Sequence, residues 1–191
     1  MIALQKPLVL ASHSPRRKQL LTDAGFDFSV EVLPTNETFP AHLPAAEVAA
    51  YISHEKAVMF RGLKPGSIVL TADTVVIADN QILAKPSDFS DAVRMLELLS
   101  GKSHTVVTAV SMLCGEEIRT VSDAAKVYFR KLEYSEISYY IENYKPFDKA
   151  GAYGIQEWIG MTGIEKIEGS FYTIMGLPVH IVYRLLKPYF G

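Results

Sequence analysis

The spacing of apolar residues along the chain switches repeatedly between two and about 3.6, the pattern of strands alternating with helices. Residues 8–11 read as a buried strand, and Ser14-Pro15-Arg16-Arg17 reads as a helix start, with Ser14 as N-cap and Pro15 at the first helical position. Leu20, Leu21 and Ala24 form the apolar stripe of that helix and Gly25 its stop. Residues 28–33 form a second strand, while Ala45, Val48, Ala49 and Ile52 recur at helical spacing along a helix ending near Gly62. Residues 68–72 are a third strand. Val75-Val76-Ile77 and Ile82-Leu83 flank the turn pair Asp79-Asn80 and suggest a hairpin. Residues 91–99 are helical up to Ser100-Gly101, and residues 104–113 and 120–129 alternate around Gly115-Glu116-Glu117 as a larger antiparallel hairpin. A helix over 134–144 is closed by Pro146, a glycine-rich loop covers 151–160, and residues 178–186 make a final helix. The expected fold is α/β: a mixed sheet flanked by helices, in two lobes with a central cleft.

Length and composition narrow the class. With 191 residues, 49% hydrophobic and 21% charged, the chain is expected to be one globular domain that buries its core without disulfides or structural metal. Its one cysteine, Cys114, lies in an apolar run, reads as a core residue, and fits a reducing, cytoplasmic compartment. The first residues carry no export signal, and no apolar run approaches the length of a membrane span. A net charge of −2 with interspersed signs argues against binding nucleic acid through bulk electrostatics. A polyphosphate ligand would have to be met by local cations.

Four stretches could supply chemistry, each with a plainer reading beside it. Ser12-His13-Ser14-Pro15-Arg16-Arg17 joins a strand to a helix N-terminus, where unpaired N–H groups, hydroxyls and guanidinium forks suit phosphate. The plainer reading is a capped helix with exposed arginines. Asp73 interrupts the apolar strand around Thr71 to Val76, a costly place for a carboxylate unless it is paired, hydrogen-bonded or bound to metal; alternatively it ends the strand and faces solvent. Glu37, Glu55-Lys56 and Lys85-Pro86 would be surface residues taken singly. Together they supply oxygen ligands for Mg²⁺ or Mn²⁺ and positive charge for a triphosphate. Asp148 to Gln156 is a loop whose glycines allow close backbone approach and whose Gln156 could read a base edge. The five histidines have no zinc-type spacing and, like Trp158, read as structural or surface residues.

This ordered set, with Ser100-Gly101-Lys102-Ser103-His104 and Gly176-Leu177-Pro178, resembles the Maf nucleotide pyrophosphatases from residue 8 to about residue 180. Asp73-Thr74 with Ala152-Tyr153-Gly154-Ile155-Gln156 looks like the dTTP/UTP branch rather than the 7-methyl-GTP branch. The resemblance implies a Maf/ITPase-like fold, cleavage of dTTP and UTP to the monophosphate and pyrophosphate, Asp73 as proton acceptor, a bearing of Arg16, Thr74 and Gln156 on substrate choice, and a divalent metal. Beside it, the chemistry of the residues assigns Glu37 with Asp73 to the metal, Ser12, Arg16, Lys56 and Lys85 to the phosphates and, through the Gln156 amide, a CTP side activity. A homodimer is compatible with it. Glu157-Trp158 departs from the family, which more usually has glycine after the glutamine, and this bears on the base pocket. Asp73 and Thr74 could meet one ligand only if the strand ends or bends there, because successive strand residues face opposite ways. The rival from another class is a non-catalytic nucleotide-binding regulator of cell division.

Overall fold

The computed structural model describes residues 2–191; Met1, the first residue of the stretch searched for an export signal, lies outside the described residues. In chain order the elements are β1 (Leu8–Leu10), α1 (Pro15–Asp23), β2 (Ser29–Val30), α2 (Ala45–Val58), β3 (Ile68–Ala78), β4 (Gln81–Leu83), α3 (Phe89–Leu99), β5 (Ser103–Cys114), β6 (Glu117–Phe129), α4 (Tyr134–Tyr144), α5 (Trp158–Gly163), β7 (Ile164–Glu168), α6 (Phe171–Met175) and α7 (Val179–Leu186). The strands form a mixed sheet in the order β2-β1-β3-β5-β6-β7, with β4 also pairing β3. The pairs β1–β2 and β1–β3 are parallel, whereas β3–β4 and β6–β7 are antiparallel. The expected mixed α/β architecture is therefore present. Among the described residues no helix is long and apolar enough to cross a membrane.

Two compact units divide the chain. The first holds the residues up to Asp73 together with Thr108–Asp123 and Gly176–Gly191. Its core includes Val9, Ala11, Ala57, Phe60, Val69 and Leu113. The second holds Thr74–Val107 and Ala124–Met175. There α3 buries Ala92, Met95, Leu96 and Leu99, the i, i+3, i+4, i+7 stripe of an amphipathic helix. They join Phe129 and Tyr140 in one cluster. Asp88 caps α3 by accepting the Asp91 N–H at 2.8 Å, which starts the helix two residues before the expected 91.

Several expectations are corrected. The strand expected over 28–33 shrinks to Ser29–Val30, because its partner β1 ends at Leu10 and Pro34 cannot donate to a ladder. The helix expected to reach Gly62 ends at Val58, and the hairpin strand expected from 120 begins at Glu117. Residues 158–160, expected as the end of a loop, begin α5 (Trp158–Gly163), and β7 (Ile164–Glu168) follows where no element was expected. A register shift between Tyr128 and Phe129 pairs Phe129 with Ile164 and Val127 with Ile167, so two isoleucines three apart keep strand pairing and the period of two is lost. Cys114 is half-buried at the end of β5 rather than in the core, and it accepts a hydrogen bond from Lys6 Nζ at 3.2 Å.

The most consequential correction concerns β3, which runs unbroken from Ile68 to Ala78 through Asp73 and Thr74. No break is needed, because the buried carboxylate of Asp73 is met by a cation from α2. The pleat therefore directs Asp73 and Thr74 to opposite faces of the strand. The division between the two units also falls between them.

Candidate active site

In the first unit, matching periodicities of a strand and a helix assemble three charged groups. Thr71 and Asp73 are two apart on β3 and share a face; Ser53 and Lys56 are three apart on α2 and share a stripe. The Thr71 hydroxyl donates to the Ser53 carbonyl at 2.6 Å, fixing the helix against the strand. The Ser53 hydroxyl lies 2.8 Å from that of Ser111 on β5, which lies 2.8 Å from that of Thr120 on β6. One turn along the helix, Lys56 Nζ donates to Asp73 Oδ1 at 2.9 Å and to Glu37 Oε1 at 2.6 Å. Lys56 and Asp73 are largely enclosed, with side chains 13% and 12% exposed, whereas Glu37 is 49% exposed. Glu37 belongs to the irregular segment between β2 and α2, so this acid faces water while its partner is held in the sheet.

The second anchor of the site is Arg17. Its Nε donates to the Gly176 carbonyl at 2.8 Å, and its Nη1 donates to the Ala72 carbonyl at 2.8 Å and to Ser12 Oγ at 3.4 Å. The guanidinium thus ties α1 to the residue before Asp73 and to the segment preceding α7. Ser12 is buried and also accepts the Ser14 N–H at 3.2 Å, while Ser14 caps α1 by accepting the Arg17 N–H at 3.5 Å. Of the two arginines in the motif, Arg17 is committed to structure. Arg16 is half-buried in the first turn of α1, where backbone N–H groups and the helix dipole favour an anion.

Burial raises the pKa of Asp73 above the ordinary aspartate value, and the Lys56 ammonium and Arg17 guanidinium oppose that rise. Burial likewise lowers the Arg17 pKa, with the Asp73 carboxylate opposing. Burial outweighs the two cations, so the carboxylate holds a proton more readily than an ordinary aspartate, by an amount its neighbours set.

The remaining expected site residues, Thr74, Lys85 and Gln156, belong to the second unit. Thr74 is half-buried, and Lys85 and Gln156 are exposed. The Ala84 carbonyl, next to Lys85, accepts the Gly151 N–H at 3.1 Å, so Lys85 and the glycine-rich loop share an anchor. Among the described residues no three His, Cys, Asp or Glu side chains converge as a ready-made metal site. His104, expected to be structural, is buried with Nε2 2.7 Å from the Tyr153 hydroxyl, and burial lowers its pKa to about 4.

Sequence reasoning selected Ser12, Glu37, Lys56 and Asp73, which the fold links through direct contacts or through Arg17. It missed the structural duty of Arg17 and the Thr71–Ser53–Ser111–Thr120 chain. The available signal was a set of hydroxyls inside otherwise apolar helix and strand runs, which need internal partners when buried.

Comparison with known proteins gives a consistent picture. A family model described as Maf-like protein matches residues 7–189. The dTTP/UTP pyrophosphatase of Bacteroides thetaiotaomicron is 48% identical over 182 residues, covering 94% of each chain. That of Cytophaga hutchinsonii is 47% identical, covering 96% of this chain and 84% of its own. Among solved structures, the Ham1 protein of Staphylococcus aureus aligns with a TM-score of 0.47 at 16% identity, over 68% of this chain and 74% of that one.

Proposed function

This chain belongs to the Maf-like protein family, and from that premise we propose that it hydrolyses dTTP and UTP to the nucleoside monophosphate and pyrophosphate. The observation that carries the reading is the enclosed Asp73 carboxylate, held by Lys56 beside Glu37. An acid in that setting has little structural purpose that an apolar residue would not serve better, but it can accept a proton. The names of the relatives supply the substrate class.

In this reading Asp73 accepts a proton from water as the water oxygen bonds to the α-phosphorus. The bond from that phosphorus to the bridging oxygen breaks, and pyrophosphate leaves with the bond's electron pair. Arg16, with the N-terminal turn of α1, and Lys56 and Lys85 balance the phosphate charge, and Ser12 keeps the first of these segments in shape. Positioning and electrostatics carry most of such a reaction. Thr74, on the opposite face of the pleat from Asp73, takes no part at the reacting phosphorus. Gln156 bears on the choice of base.

The donor set suits a divalent cation. Lys56 Nζ, within hydrogen-bonding distance of both Glu37 and Asp73, shows that these carboxylates converge on one positive charge. Two carboxylates completed by substrate phosphates and water are the usual surroundings of Mg²⁺. Glu37 and Asp73 would hold the ion, which when bound neutralises phosphate charge. A purely regulatory nucleotide binder would gain nothing from two acids beside an anionic ligand without such an ion.

The reading predicts that dTTP and UTP are turned over faster than GTP, ATP or 7-methyl-GTP. It also predicts that any preference between dTTP and UTP, which differ by the base methyl and the 2′-hydroxyl, stays within about 200-fold, since a methyl in an apolar pocket is worth about 1–3 kcal/mol. CTP is expected as a weaker substrate, because an amide can present either its oxygen or its NH₂ to a base edge. Steady-state kinetics over these nucleotides checks this, and faster turnover of 7-methyl-GTP would move the chain to the sister activity.

A further inference from the structure

The loop bearing Gln156 is held in a conformation that the backbone alone would not choose. Ala152 adopts φ 59°, unusual for a residue with a side chain. Gly151, at φ 69°, packs so closely that an added Cβ would lie 3.0 Å from Val76 Cγ1. Strain of this kind persists only where surrounding contacts over-determine it.

A second set of contacts in the same loop converges on Glu157. Lys149 Nζ lies 3.1 Å from Glu157 Oε1, and the Tyr140 hydroxyl donates to Glu157 Oε2. The same hydroxyl accepts the Gly154 N–H at 3.0 Å. Tyr140 and Lys149 are buried, and the Glu157 side chain is 18% exposed. Burial and the adjacent carboxylate push the Tyr140 phenol up in pKa, which keeps it a donor. A Cβ at Gly154 would come within 2.7 Å of Glu157 Cδ, so a larger residue there would displace the gripped carboxylate. Gln156 therefore stands exposed between buried Ile155 and clamped Glu157, with the Gly154 backbone tied to the same clamp.

We propose that Glu157, gripped by Lys149 and Tyr140, is a positioning residue for base selection: it fixes the direction in which the exposed Gln156 side chain is presented. This inference rests on the reading of Gln156 as the base-contacting residue. It gives a purpose to the glutamate, whose carboxylate accepts from the buried Tyr140 hydroxyl.

Four variants, Gln156→Ala, Glu157→Ala, Glu157→Gln and Tyr140→Phe, are compared in steady-state kinetics with dTTP, UTP and GTP, alongside thermal melting. Glu157→Ala and Tyr140→Phe are expected to raise KM for dTTP and UTP about tenfold, the scale of one lost hydrogen bond. kcat and the KM for GTP should change by less than about threefold, so the pyrimidine preference collapses. Glu157→Gln, which can still accept from Tyr140, should recover most of that preference. If Gln156→Ala shifts the preference but Glu157→Ala and Tyr140→Phe do not, the clamp inference is wrong and base contact by Gln156 stands. If Gln156→Ala leaves the preference unchanged, both are wrong. An equal loss for all three nucleotides, with lowered melting temperature, would reduce the clamp to a purely structural feature. Should Glu157→Ala fail to fold, the near-isosteric Tyr140→Phe decides the matter by the same ratio.

Discussion

Asp73→Asn is expected to lower turnover of dTTP by about 10²–10⁴-fold, the usual cost of losing a positioned general base. The substitution keeps the shape of the side chain, and the amide oxygen can still accept from Lys56, so the contact between β3 and α2 is retained in outline. It removes the proton acceptor and one of the two carboxylates that face the ammonium. Nucleotide affinity should fall much less, because Arg16, Lys56 and Lys85 remain. Turnover and dTTP binding measured side by side, in protein shown to be folded, separate the two effects. Retention of more than a tenth of the parent rate would dismiss Asp73 as the base and make Glu37 the next acid to test.

Lys56→Met is expected to cost about 10²-fold at neutral pH, the order found on removing one electrostatic donor from a reacting centre, and to change the pH profile as well. Burial raises the Asp73 pKa, while Lys56 and Arg17 lower it. Without the ammonium the opposition to burial weakens, so the folded-state pKa rises further and Asp73 stays protonated to higher pH. A protonated carboxyl cannot accept from water. The acidic limb of kcat should therefore move to higher pH in the variant, with activity partly recovering as the pH is raised. A uniform loss with the limb unmoved would mean that Lys56 serves the phosphates alone and does not tune Asp73.

Much of the architecture could be read from periodicity because the elements concerned bury one clean stripe. Helix α3, with Ala92, Met95, Leu96 and Leu99, is of this kind, whereas β5 is buried at nearly every position and was legible as a long apolar run. Short elements escaped: α5 has six residues and two glycines, and β7 pairs across a bulge that spoils alternation. Asp73 announced itself as a charge in an apolar strand, but the strand does not end there, as one ligand for both Asp73 and Thr74 would have required unless it bent. The cost of burying it is offset by Lys56, 17 residues away in sequence and therefore invisible to local pattern. The same holds for Arg17, whose partners Ala72 and Gly176 are reached only through the fold. The two arginines of one motif look equivalent in sequence; their partners separate a structural guanidinium from a phosphate-facing candidate. Glu157 was noticed only as a departure from a family pattern, and its grip on Tyr140 and Lys149 gives it a physical role.

The most direct test of the central claim is hydrolysis of dTTP in oxygen-18 water with Mg²⁺, followed by mass analysis of both products. Attack at the α-phosphorus predicts one labelled oxygen in dTMP and unlabelled pyrophosphate, released in equal amounts and lost together in Asp73→Asn. Label in pyrophosphate, release of orthophosphate with dTDP, or binding of dTTP without turnover would contradict the account.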